Sequence, residues 1–132
     1  LTYLMIEKLL MARCSFIVDV DFSRPELDSQ KIVALREKYP FRSFEIRLVC
    51  DGPVLFERFK ARSVSGERHP GHADATNFEE IEDTLNVGHR PALEIGGEST
   101  SVDVTSFNAM NFDSLVARIK CEVALANQST RT

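Results

Sequence analysis

Arginine and histidine crowd one stretch of the sequence. Arg58, Lys60, Arg62 and Arg68 stand there against only Glu57 and Glu67, with His69 and His72 close behind. A guanidinium keeps its charge and donates two parallel hydrogen bonds, the pattern that phosphate oxygens accept. Arg62 at a helix end and Arg68 in a glycine-containing loop could therefore close over a polyphosphate. The plainer alternative is a solvated basic face, paired with Glu79, Glu80, Glu82 and Asp83 just beyond. Exposed charge is the common fate of such residues.

Arg68-His69-Pro70-Gly71-His72 is compact enough to present an arginine and two imidazoles to an anion. His69, His72, Asp74 and His89 also offer zinc-type donors. Pro70-Gly71 breaks the helical spacing that would bring both imidazoles onto one ion, so no residue is assigned as a direct metal ligand. Asp19 and Asp21 flank Val20, so in an extended chain they point the same way. Such a pair could hold Mg²⁺ through water or accept a proton from a hydroxyl. Asp19 is the better candidate, because Asp21 is nearer a turn. The alternative is that one of them caps the helix starting at Pro25. Asp103 and Thr105 make a comparable pair, with turn chemistry as the alternative. The 132 residues hold no nucleophile elbow, no GxGxxG and no Gly-rich loop followed by Lys-Ser/Thr.

The elements that must position these residues alternate. Leu1, Leu4, Met5, Leu9 and Ala12 recur at three and four, which predicts a helix over 1–12 with that face apolar. Ser15 to Val20 is apolar and β-branched and reads as a buried parallel strand. Pro25 suits a first helical turn, giving a helix over 25–39. Phe44 to Cys50 is a second strand, and Asp51-Gly52-Pro53 turns into a helix over 53–63 with Leu55 and Phe59 inward. Residues 64–75 are a loop. Thr76 with Glu79 forms a capping box for a helix ended by Gly88. Residues 93–104 read as two short extended pieces, and Phe112 to Ala126 as a last helix. This order predicts an α/β layer fold with a mainly parallel sheet. In such sheets chemistry gathers at the strands' carboxyl ends, here Asp19/Asp21, Asp51 and Asp103/Thr105.

Composition narrows the classes. A chain of 132 residues, 43% hydrophobic and 27% charged, suits one globular domain. A net charge of −4, from 16 basic and 20 acidic residues, disfavours a general nucleic-acid coat. No apolar stretch approaches the ~18 residues of a membrane span. Residues 1–11 lack the basic start of a signal peptide. Cys14, Cys50 and Cys121 have no CxxC spacing and read as reduced cysteines of a cytoplasmic protein.

Phe16-Ile17-Val18-Asp19-Val20-Asp21-Phe22 resembles a strand of the P-loop kinase-like ATP-binding proteins, a group with zeta-toxin and polynucleotide-kinase relatives. Phe44 to Arg62 resembles their next strand and lid-entry helix. Ser65 to His72 is similar to the lid of a branch described generally as AAA-family ATPases or kinases. Ser101-Val102-Asp103-Val104-Thr105 is similar to a late strand, with Val104 where the usual pattern has Thr. The resemblance covers roughly residues 1–122. It implies a three-layer α/β/α domain over 1–126, a lid at 64–75 and a polar tail at 127–132. It also implies a phosphate loop, with its strand, ahead of Leu1.

By that resemblance, the complete protein would be an ATP- and Mg²⁺-dependent phosphotransferase acting on a small molecule or a polynucleotide. Arg62, Arg68 and Asp19 would be catalytic, with Asp19 acting through Mg²⁺-bound water. Arg58, Asp21, His69, His72, Thr105 and Ser106 would bind nucleotide or substrate, with Ser106 near the adenine. The 132 residues alone would be inactive, bind no cofactor of their own and self-associate through unpaired strands. Two other classes fit the residues: a non-catalytic module for an anion or nucleotide, and a metal-dependent hydrolase centred on His69 and His72.

Overall fold

The computed structural model describes residues 1–65 and 78–129. Five helices and two strands follow in the order α1 (Thr2–Met11), α2 (Pro25–Lys38), β1 (Phe44–Val49), α3 (Gly52–Val64), α4 (Phe78–Asn86), β2 (Glu98–Asp103) and α5 (Phe112–Ser129). A 3₁₀ turn, Phe107–Ala109, lies between β2 and α5. β1 and β2 pair as a small parallel sheet. The chemistry of each start is local. Pro25 opens α2, and the Arg24 amide donates to Asp28 Oδ2 at 3.1 Å. Asp51 caps α3, its Oδ1 accepting from the Val54 amide at 3.2 Å. Among the described residues, no helix is long and apolar enough to cross a membrane.

The chain divides into two compact units. One comprises Leu1–Glu45, Pro91–Thr100 and Phe112–Thr132; the other comprises Ile46–Arg90 and Ser101–Asn111. In the first, Ile32, Leu93 and Ile95 form the core, with Tyr3, Phe22 and Phe41 packed against it. Arg36 crosses from α2 to donate to the Gly96 carbonyl at 2.8 Å and to Ser43 Oγ. Arg42 pairs with Glu122 of α5 at 2.9 Å. In the second, Phe56 and Gly52 are buried on α3, and α3 packs against α4.

Four expectations change. Residues 15–20 are not a strand. The alternation is present, since Phe16 and Val18 are half-buried, but Ile17 is 92% exposed. A strand exists only where a neighbour completes its ladder, and among the described residues none does. The buried face of α1 is also the other one. Ile6 is buried, while Leu1, Leu4 and Met5 are exposed. Tyr3 and Glu7 decide this, because they carry hydrogen bonds to α2 that the outer leucines cannot make. The Tyr3 hydroxyl donates to Asp28 Oδ1 at 2.5 Å, and Lys38 Nζ pairs with Glu7. On α3 the buried aromatic is Phe56, with Leu55 and Phe59 half-buried beside it. α5 also runs to Ser129, past the predicted end at Ala126.

The Tyr3–Asp28 contact predicts an alkaline limb of stability. Burial, and then the hydrogen bond and charge of Asp28, push the Tyr3 hydroxyl up to about 12 from its usual 10.0. A group raised on folding stabilises the fold below its unfolded value and loses that contribution as pH rises through the folded one. Stability should therefore fall between about pH 10 and 12. Tyr3→Phe should cost about 1 kcal/mol at pH 7 and flatten this limb. Denaturant unfolding across that pH range checks it.

Candidate functional site

The carboxyl ends of β1 and β2 meet within the second unit, and α3 starts there. The Val104 amide donates to the Val49 carbonyl at 2.8 Å, which continues the ladder by one residue. The Asp51 amide donates to Thr105 Oγ1 at 2.8 Å. The Thr105 amide donates to Asp103 Oδ1 at 2.8 Å. Hydrogen bonds from Thr105, through its side chain and its amide, hold the Asp103 carboxyl below its usual range. Asp103 therefore tightens the turn after β2, as its turn-chemistry alternative anticipates.

Arg58 reaches this turn from the second turn of α3. Nη1 donates to the Val104 carbonyl and Nη2 to the Thr105 carbonyl, both at 2.7 Å. Nη1 also lies 3.6 Å from Cys50 Sγ. The guanidinium stands 4.7 Å from the Phe107 ring centroid. Arg62 lies four residues on, in the last turn of α3, and is exposed. Residues four apart share a helix face, so Arg62 stands one turn beyond Arg58 on the same side. Among the described residues its guanidinium has no partner. An open groove runs along α3, lined by Pro53, Val54, Glu57, Arg58 and Ala61.

Of the residues singled out in the sequence, Arg58 and Thr105 are in direct contact. Ser106 follows them as an exposed residue opening the 3₁₀ turn. Asp19 and Asp21 are exposed and belong to the first unit. Neither caps α2, where Arg24 stands at the cap with no side-chain bond. Arg68, His69 and His72, with most of the 64–75 loop, lie outside the described residues. So does Thr76 of the capping box. His89 Nδ1 faces the Val87 carbonyl at 3.0 Å. Among the described residues, no group of three or more His, Cys, Asp or Glu could hold a metal ion. Phe107 and Cys50 are members of the site that spacing did not suggest. The nearest signal was their place, Cys50 as the last residue of a predicted strand and Phe107 shortly after another.

Two glycines join the turn after α4 to the end of β1. A Cβ on Gly52 would overlap the Asn86 carbonyl, and one on Gly88 would overlap the Cys50 carbonyl. Gly88 has φ +76° and accepts from the Cys50 amide at 2.9 Å. Backbone cannot retreat as a flexible side chain can. Gly52→Ala should therefore cost at least about 2 kcal/mol, at the upper part of the overpacking range. Thermal unfolding of the variant measures it.

Comparison with solved structures gives a likeness over nearly the whole chain. A solved structure, described as a "putative kinase" from Chloroflexus aurantiacus, matches 94% of this chain with a TM-score of 0.76 and 27% sequence identity. The match covers 63% of that protein, so the chain spans less than two thirds of its length. No protein-family model matches the chain, and no curated protein sequence does. The likeness establishes a kinase-like fold, with its mixed α/β order and parallel strand pair.

Proposed function

We propose that these residues form the lid and substrate side of an ATP-dependent phosphotransferase of the P-loop kinase-like kind. The observation that carries the reading is the structural likeness to the Chloroflexus protein over nearly the whole chain. In this reading the phosphate loop lies outside the 132 residues, since no Gly-rich loop with Lys-Ser/Thr occurs within them. The fold would then be three-layered, with that loop's strand beside the 15–20 segment.

Nucleotide, when bound, supplies the phosphoryl group. The chain's own residues supply charge and position. Arg62 fits the phosphate role, because its guanidinium is exposed and has no partner among the described residues. Arg68 would join it from the 64–75 lid. Phosphoryl transfer needs little covalent help from a protein, so positioned charge is the main contribution. Asp19 would orient the acceptor or a Mg²⁺-bound water, with Asp21 beside it. Thr105 and Ser106 would face the nucleotide's base, and His69 and His72 would shape the lid. Nucleotide-dependent transfer of a labelled phosphoryl group, by a form carrying a phosphate loop, tests the reading.

A further outcome follows from the open strand. Among the described residues β1 and β2 form only a pair, and an unpaired strand edge recruits another chain. The 132-residue chain should therefore sediment as more than a monomer. A single monomeric boundary at micromolar concentration would count against this.

A further inference from the structure

We infer that Arg58 is a positioning residue: it fixes the shape of the 104–107 turn and does not itself contact phosphate. The inference rests on the phosphotransferase reading, in which that turn faces the nucleotide. Both terminal nitrogens of Arg58 are committed to the Val104 and Thr105 carbonyls at 2.7 Å. A phosphate could engage them only by displacing two charge-assisted bonds. Two carbonyl oxygens that converge repel each other unless a donor lies between them. A planar guanidinium spans two acceptors at once; a lysine ammonium is a point charge. The guanidinium also lies over the Phe107 ring at 4.7 Å, and Phe107 is 61% exposed and so is not held by burial. The Val104 and Thr105 amides and the Thr105 hydroxyl fix the start of the turn, and the Ser106 and Phe107 carbonyls accept from the Ala109 and Met110 amides at its end. Arg58 fixes its carbonyls and the entry to the 3₁₀ turn.

The roles of the two arginines then divide. Arg58 holds the turn, while Arg62, one helical turn on, is the one exposed for an anion.

The test uses the ¹⁵N-labelled 132-residue chain, with Arg58→Ala and Arg58→Lys. Amide exchange of Val104, Thr105 and Ala109, whose amides are hydrogen-bonded, should quicken at least about tenfold in Arg58→Ala, with α3 amides unchanged. Arg58→Lys keeps the charge and should restore less than half of the protection. If alanine loosens the whole unit, the lysine variant carries the test alone. In a form carrying a phosphate loop, millimolar Mg²⁺–ATP, the probe for the base side, should shift the Ser106 and Phe107 amides. Arg58→Ala should need at least about tenfold more nucleotide for the same shift. Unchanged exchange in the variants would overturn the inference. Equal nucleotide response in parent and variants would overturn it while leaving the phosphotransferase reading standing. No response in the form that carries the phosphate loop would remove both.

Discussion

Arg62→Ala should lower phosphoryl transfer about 100-fold or more, the loss typical of removing a transition-state donor. The measurement belongs in a form of the protein that carries a phosphate loop. Arg62 is exposed and its guanidinium is unpartnered among the described residues, so its removal breaks no side-chain bond among them. Thermal unfolding should hardly move, since surface changes of this kind fall within about 0.5 kcal/mol. Arg58→Ala should differ in lowering the unfolding temperature as well, because it frees two carbonyls and removes the contact with the Phe107 ring. Arg68→Ala should match Arg62→Ala in activity. Its basis is sequence alone: exposed loop charges exchange partners easily, because each surface pair is worth about 0–1 kcal/mol. His69→Ala should matter less, as a turn-shaping residue beside Pro70. Full activity in both arginine variants would make the basic stripe a solvated face.

Purified as 132 residues, the chain should show no measurable ATP hydrolysis or phosphoryl transfer. The physical reason is the absence of any cradle of backbone amides with its lysine in the sequence. Arg62 and Arg68 can neutralise charge, but they cannot hold three phosphates in line with an acceptor. A sensitive labelled-phosphate assay decides the matter. Robust hydrolysis that Arg68→Ala abolishes would show that the chain is self-sufficient.

The legible parts of the fold were those set by local chemistry. Pro25, Asp51 and the Phe44–Cys50 segment placed α2, α3 and β1 within a residue or two. Less legible was anything set by distant partners. Residues 15–20 have the alternation of a strand, yet a strand also needs a neighbour, and none is present among the described residues. α1 is apolar on two sides, so periodicity could not choose between Ile6 and the Leu4–Met5 side. Tyr3 and Asp28 chose, across 25 residues of sequence. The site shows the same division. Arg62 on the last turn of α3 was readable from spacing. The commitment of Arg58 to carbonyls 46 and 47 residues away was not.

The central claim is that these residues work with a phosphate loop outside them. Sequencing the transcript upstream of the Leu1 codon tests it most directly. The account predicts an in-frame GxxxxGK[ST] following a run of apolar, β-branched residues. An in-frame stop, or a reading frame that starts without that motif, would contradict it.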